Sequence, residues 1–112
     1  MAPELLPENP LQFIRKCVRE GRVLWTYHVN MRLSQRAITR RMIVESIEVY
    51  EVLETYPRDK YLPSILVWSQ QGGDIFHILF AVDVTGDNVR IVTAYRPDPL
   101  QWDADLKTRR LS

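Results

Sequence analysis

The chain has 112 residues, of which 46% are hydrophobic, 10% aromatic and 26% charged, with a formal net charge of +1. This length suits one domain with its own core, and the composition argues against disordered, collagenous, coiled-coil and membrane-spanning classes. Cys17 is alone, so neither an intrachain disulfide nor a CxxC metal knuckle is expected. The first residues, rich in acids and prolines, predict no secretory signal, and we expect a cytoplasmic protein.

Basic residues are concentrated in one stretch of the chain. Between Arg15 and Arg41 lie eight basic residues and a single acid, Glu20, and twelve of the fifteen basic residues in the chain are arginine. Arginine binds phosphate and carboxylate in a bidentate manner, so this stretch is a candidate for phosphate contact. The alternative is a set of solvated helix faces balanced by the acidic stretch from Glu45 to Glu54.

The first helix is predicted to begin at Pro10. Residues 1–9 show no periodicity and are expected to form a flexible lead-in to one domain over residues 10–112. Asn9 followed by Pro10 is typical of a helix start, and Gly21 suits the left-handed residue after its end. Cys17 falls on the apolar stripe of this helix and is expected in the core.

Two further helices are expected before the chain changes to strands. Thr26 is placed to cap a short second helix, on which His28 and Arg32 are four residues apart and share a face. Thr39 is placed to cap a third helix that we extend to about Glu54, because apolar residues recur at helical spacing.

The second half of the chain predicts three antiparallel strands. Residues rich in β-branched and aromatic types form the segments 65–70, 75–84 and 89–96, separated by Gly72-Gly73 and Gly86-Asp87. The predicted fold class is therefore α+β, with two or three N-terminal helices packed on one face of a three- to four-stranded antiparallel meander sheet. Asp98 and Pro99 predict a short C-terminal helical turn.

The two turns also predict a strand register. Gly72-Gly73 places Trp68 opposite His77, and Gly86-Asp87 places His77 opposite Arg96 and Asp83 opposite Arg90. Trp68, His77 and Arg96 are then neighbours on one sheet face, and a one-residue slip would separate them.

The remaining candidate residues lie around this cluster. In the same register Tyr95 falls on the helix-facing side of the sheet. Trp102 is expected to fold back over the face that carries His77, which leaves Lys107, Arg109 and Arg110 near its rim.

Three stretches together resemble a known family. They are Thr26-x-His28 with Arg32 and Arg36-x-Ile38-Thr39; Phe76-His77-Ile78; and Thr93-x-Tyr95-x-Pro97-Asp98-Pro99-x-x-Trp102 ending in Arg109-Arg110. Their order resembles bacterial domain-of-unknown-function family 4258 over residues 11–110, with departures at Val29 and Leu33. The implied architecture is similar to that of the RelE-like small ribonuclease toxins, an analogy at the level of fold.

Two functions are compatible with these features. The first is a metal-independent endoribonuclease, a toxin neutralised by a partner protein; the second is a non-catalytic module that binds protein or nucleic acid, with the exposed sheet face as a homodimer interface.

No metal-ligand spacing, phosphate-binding glycine motif or nucleophile signature occurs, so we expect no cofactor. The residues that supply proton transfer and phosphate or base contacts are His77, His28 and Arg96 as catalytic candidates, and Arg32, Arg36, Trp68, Tyr95, Arg109 and Arg110 as substrate-binding candidates.

Overall fold

A computed structural model describes residues 6–110, which form an α+β fold. In these residues no helix is long and apolar enough to cross a membrane. The helices are α1 (Pro10–Arg19), α2 (Tyr27–Gln35) and α3 (Arg40–Glu45), with a 3-10 turn at Ile47–Val49. The strands are β1 (Val23–Leu24), β2 (Glu51–Tyr56), β3 (Ser64–Gln71), β4 (Asp74–Asp83) and β5 (Asn88–Tyr95).

The predicted helix starts are confirmed by their caps. The side chains of Asn9, Thr26 and Thr39 each accept a hydrogen bond from the backbone N–H three residues further on, at 3.1, 3.2 and 3.0 Å. These bonds satisfy N–H groups that have no partner within the first helical turn. Gly21 has a φ of +72° just beyond α1, which is the left-handed conformation expected where the helix ends.

The predicted end of the third helix is wrong. The helix ends at Glu45, not near Glu54, and the residues that follow the 3-10 turn form β2. Arg15 of α1 donates hydrogen bonds to three carbonyls between Ile47 and Tyr50, at 3.0 to 3.3 Å. A helix continuing through these residues would use their carbonyls internally, so the bonds from Arg15 favour the turn.

The sheet is larger than predicted and is mixed. Its strand order is β1-β5-β4-β3-β2, and β1 pairs with β5 in parallel. A purely antiparallel sheet of three or four strands is therefore wrong. The short β1, formed by Val23 and Leu24, carries no periodic pattern, and β2 resembles a continuation of the preceding helix in sequence.

One hydrophobic core joins the helices to alternate residues of the sheet. Cys17 is fully buried in it, as predicted, and Leu6 packs against it from the expected lead-in. Residues 1–5 of that lead-in lie outside the described part of the chain. We call the sheet side that contributes to this core the core face and the other side the tail face. Core-face residues include Ile65, Val67, Phe76, Ile78, Phe80, Val82, Val89 and Ile91.

The β3–β4 register is confirmed. Trp68 lies opposite His77 across a turn whose two residues, Gly72 and Gly73, have φ of +58° and +84°. Two successive positive φ values are what a tight hairpin turn requires, and glycine adopts them without steric cost.

The predicted β4–β5 register is wrong. The loop is closed by Asp83 and Asn88, and the carboxylate of Asp83 accepts a hydrogen bond from the N–H of Gly86 at 2.8 Å. Asp83 therefore stabilises its own turn, while Arg90 lies opposite Ala81. A local hydrogen bond of this kind competes with a cross-strand charge pair, and here it determines where the loop closes.

A β-bulge in this pair changes which candidate site residue lies opposite His77. The register shifts between Leu79 and Phe80, so that His77 lies opposite Tyr95, not opposite Arg96. Ala94 belongs to the core instead of the tail face. The prediction that Arg96 is the cross-strand neighbour of His77 is therefore wrong, and Tyr95 takes that position. The reason is that one extra residue in a strand reverses the side of the sheet on which its later residues lie.

The chain after β5 folds back, as the sequence predicts. We call Pro97–Arg110 the tail. The carboxylate of Asp98 accepts a hydrogen bond from the N–H of Leu100 at 2.9 Å and starts one helical turn. Trp102 is 2% exposed, and it forms an isolated antiparallel bridge with Arg109. The tail thereby covers the part of the tail face that carries His77.

Candidate functional site

Four aromatic rings meet beneath the tail. We call Trp68, His77, Tyr95 and Trp102 the tail cluster. The ring of His77 lies 4.5 Å from that of Trp102, nearly perpendicular to it, and 5.5 Å from that of Tyr95, measured between centroids. His77 is completely buried and Trp68 is 7% exposed. Edge-to-face contacts of this kind stabilise a small aromatic core.

The hydrogen bonds of His77 restrict its chemistry. Its Nε2 lies 2.7 Å from the carbonyl oxygen of Leu106, and because a carbonyl only accepts, Nε2 carries the proton. Burial lowers the pKa of His77, and the cation of Arg109 lowers it further, against the raising effects of the Leu106 bond and of Glu54. The imidazole is therefore neutral at pH 7, and in this closed arrangement it does not reach a substrate.

The tail cluster contains two buried polar atoms that have no partner among the described residues. They are Nδ1 of His77 and Nε1 of Trp68. A buried polar group without a hydrogen bond costs about 1–3 kcal/mol. Movement of the tail away from the sheet would return both atoms to water.

Cations of the tail cover the edges of this cluster. Lys107 lies 4.3 Å above the ring of Trp68, and Arg109 lies 4.5 Å above the ring of Trp102. Arg109 also forms an ion pair with Glu54 at 2.7 Å and holds the pKa of that carboxyl below its usual value. These contacts place a guanidinium beside the exposed part of the tail face.

An open groove continues from the tail cluster across the tail face. It consists of two adjoining hollows of about 300 and 270 Å³, on the side that carries Leu66 and Leu79. We call it the tyrosine groove, because Tyr56 and Tyr95 line one hollow and Tyr61 the other. Burial raises the pKa of Tyr95. The residues lining the groove are Tyr56, Asp59, Lys60, Tyr61, Leu62, Ser64, Leu66, Leu79, Ala81, Arg90, Val92, Tyr95 and Arg109.

A more voluminous hollow along α1 has a different character. It measures about 850 Å³ and runs along α1 and the residues before it, from Pro7 to Glu20. It contains none of the candidate residues, and we do not assign a site to it.

Arg96 and Arg36 hold the fold together. Arg96 forms an ion pair with Asp74 at 2.8 Å and donates hydrogen bonds to the carbonyls of Arg36 and Ala37. Arg36 donates to the hydroxyl of Thr93 at 2.9 Å and to a β5 carbonyl at 2.8 Å. The guanidinium of Arg96 thus ties the end of β5 to the end of α2, and its catalytic role stays a prediction.

His28 and Arg32 lie apart from the tail cluster. Both are exposed on α2, whose buried residues Val29 and Leu33 belong to the core on the other side of the sheet from His77. Neither side chain has a hydrogen-bond partner among residues 6–110. The structure therefore does not bring the two histidines into one site.

Most of the basic stretch is matched within the molecule. Lys16 and Arg22 both contact Asp87, at 3.1 and 2.6 Å, while Arg41 pairs with Glu45 at 2.8 Å. Arg19 pairs with Glu48, and Arg15 binds carbonyls. Arg110, in the tail, donates to the carbonyl of Pro99 at 2.8 Å. Of these cations, Arg19 and Arg41 pair with the acidic stretch from Glu45 to Glu54, as the interpretation of balanced helix faces expects. Lys16 and Arg22 are balanced by Asp87 instead, and Arg15 by backbone carbonyls.

Several groove residues are not among the candidates that the sequence predicts. Tyr56 lies in a strand that resembled a helix, and Lys60 and Tyr61 lie in the connection that follows it. The proline and tyrosine pairs at 56–57 and 61–63 were the available signal, because prolines on both sides of a short segment indicate a loop between strands.

Comparisons with known proteins identify a family but no function. The model of a family described as "Domain of unknown function (DUF4258)" matches residues 25–96, which is more than half of the chain. No curated protein and no solved structure matches the chain.

Proposed function

The chain belongs to the DUF4258 family, and we propose that it binds single-stranded RNA in the tyrosine groove. One observation carries the proposal: the groove is an open apolar floor on the tail face, bordered by three tyrosine rings and three cations. Proteins that bind single strands combine aromatic rings for base stacking with cations that follow the phosphates.

The tyrosines supply the stacking surfaces. Tyr61 is 77% exposed, and Tyr56 and Tyr95 are partly exposed at the other end of the groove. A stacked base contributes about 1–3 kcal/mol to binding, with little dependence on its identity. The groove is therefore expected to bind RNA with weak sequence preference.

The cations supply the phosphate contacts. Lys60 and Arg90 form no ion pair with a carboxylate among the described residues, and Arg109 remains accessible beside Glu54. Neutralising a phosphate releases condensed counterions, so affinity is expected to fall as salt concentration rises.

The test is fluorescence anisotropy with a labelled single-stranded RNA of about ten nucleotides, a length within the range that comparable grooves bind. Tyr61→Ala is expected to weaken binding by about tenfold or more through loss of stacking. Arg90→Ala is expected to weaken binding and to reduce the slope of log affinity against log salt by about one.

The matched control is Arg41→Ala. It removes one cation from α3, where the side chain is 81% exposed and pairs with Glu45. Its affinity for RNA should stay within about twofold of wild type, since each counterion effect is local to the contacted phosphate. Equal losses in Arg41→Ala and Arg90→Ala would show non-specific attraction and contradict a groove.

A RelE-like endoribonuclease is the second candidate, favoured by the contact between neutral His77 and groove-lining Tyr95. Opening of the tail would release the Nε2–H of His77 from Leu106 and expose the ring, whose unprotonated Nδ1 could then serve the groove as a base. Gel analysis of the same RNA distinguishes the two functions: cleavage by wild type, unaffected by EDTA and lost in His77→Ala, identifies the enzyme. Binding without product identifies the binding module.

A further inference from the structure

We propose that the exposed side of α2, together with the start of α3, is a docking surface for an acidic amphipathic helix of a partner protein. We call it the α2 surface and define it by Tyr27, Met31, Arg32 and Arg40. It lies on the helix layer, whereas the tyrosine groove lies on the tail face, so this inference does not depend on RNA binding.

An apolar stripe runs along the centre of this surface. Tyr27 and Met31 are 74% and 44% exposed. Tyr27 and Met31 are one helical turn apart and therefore share a side of α2, opposite the buried Val29 and Leu33. Apolar side chains at this spacing are the pattern by which a second helix packs on the first.

Cations border the stripe on both sides. At 100° per residue, Arg32 follows one flank of α2 together with His28, and Asn30 lies on the other flank. Asn30 accepts two hydrogen bonds from Arg40, at 3.0 and 2.8 Å, and the guanidinium lies 5.0 Å above the ring of Trp25. Arg40 is thereby fixed beside the apolar stripe.

These two cations lack acidic partners within the molecule. The sequence from Gly21 to Val44 contains no aspartate or glutamate. Neither Arg32 nor Arg40 pairs with a carboxylate in the described residues, although Arg22 and Arg41 of the same stretch do. An apolar stripe between two unpaired guanidinium groups is complementary to a helix with an apolar stripe between carboxylates.

The chemistry of the stripe favours a protein over a nucleic acid. Met31 has no aromatic ring, so it gains free energy by burial against other apolar side chains and offers no stacking plane to a base. Only Tyr27 and the edge of His28, whose rings lie 6.2 Å apart, could stack. RNA binding at this surface is therefore an outcome that the test must exclude.

The experiment uses full-length protein and a labelled synthetic helical peptide of about 18 residues, with leucine at helical spacing and glutamate on both flanks. A peptide of the same composition in scrambled order is the reference. Wild-type protein should bind the ordered peptide at least about tenfold more tightly than the scrambled one. The double variant Tyr27→Ala/Met31→Ala should lose at least about tenfold of that affinity.

A charge exchange tests the flanks. Arg32→Glu/Arg40→Glu should lose binding to the glutamate peptide and gain binding to a matching lysine peptide, because the Coulomb term changes sign. Arg58→Glu, an exposed cation in the β2–β3 connection, is the control and should stay within about twofold of wild type. Circular dichroism verifies that each variant keeps the helical signal of the wild type.

Three results would overturn the docking surface. They are equal affinity for ordered and scrambled peptides, no exchange of preference in the charge-reversed variant, and loss of RNA binding in that variant with peptide binding retained. The last result would assign the α2 surface to nucleic acid. Failure of RNA binding in the tyrosine groove would leave the peptide result unchanged, so the two proposals fail separately.

Discussion

The two histidines of this protein show how strongly the surroundings of a residue determine its use. His77 is buried under the tail with one nitrogen bonded to Leu106, whereas His28 is exposed on α2. Both have the residue type that proton transfer requires, and only burial separates them. Arginine shows the same dependence, since Arg96 binds backbone carbonyls while Arg32 has no partner among the described residues.

Burial of His77 predicts a pH dependence of stability. Its folded-state pKa is lowered, so as pH falls below about 6.5 the unfolded chain takes up a proton that the folded chain resists. The free energy of unfolding should therefore decrease as pH falls from about 7 to 5, a window above that of the carboxylates. Urea denaturation at a series of pH values measures it.

His77→Gln is the variant that isolates this effect. Its side-chain amide still offers a donor toward the carbonyl of Leu106, and it does not titrate. The slope of unfolding free energy between about pH 7 and 5 should flatten. An unchanged slope in His77→Gln would mean that His77 binds its proton equally readily in the folded and unfolded chain, and that the tail cluster is open to water.

Among the elements, the tail has the largest influence on the candidate site. It contributes Trp102 to the ring of His77, Lys107 to the ring of Trp68 and Arg109 to the edge of the groove. The tail has little regular structure beyond one helical turn, so these contacts hold it in place. Closure of the tail therefore decides whether His77 is accessible.

Removal of the Trp102 side chain tests this role. Trp102→Ala should lower the free energy of unfolding by about 3–5 kcal/mol, as expected for a buried tryptophan. It should also shift the fluorescence of Trp68 to longer wavelength as water reaches that ring. Leu100→Ala, two residues earlier and 84% exposed, is the control and should change stability by less than about 0.5 kcal/mol. Similar small effects in both variants would show that the tail is not docked.

The elements also show what the sequence could and could not determine. Helix caps and the Gly72-Gly73 hairpin were predictable, because each depends on residues close together in the chain. The end of α3 was not, because it depends on Arg15, more than thirty residues away. The bulge in the β4–β5 pair was not predictable either, and it placed Tyr95 beside His77.

Viewed as a whole, the molecule separates two surfaces by its sheet. The tyrosine groove and the tail cluster lie on the tail face, and the α2 surface lies on the helix layer. The net charge of +1 conceals this arrangement, because four of the eight cations of the basic stretch pair with acids such as Glu48 and Asp87. Arg32 and Arg40 border the α2 surface and Lys60 and Arg90 border the tyrosine groove, and none of these four pairs with a carboxylate among the described residues.

RNA binding in the tyrosine groove is tested most directly by locating the RNA on the molecule. Isotope-labelled protein titrated with the single-stranded RNA should show its largest backbone amide shifts in residues 56–66, 79–81 and 90–95, which form or flank the groove. Residues 27–35, which form α2, should shift little, since they lie on the other side of the sheet. Shifts confined to residues 27–35, or no shifts at an RNA concentration that saturates anisotropy, would contradict binding in the groove.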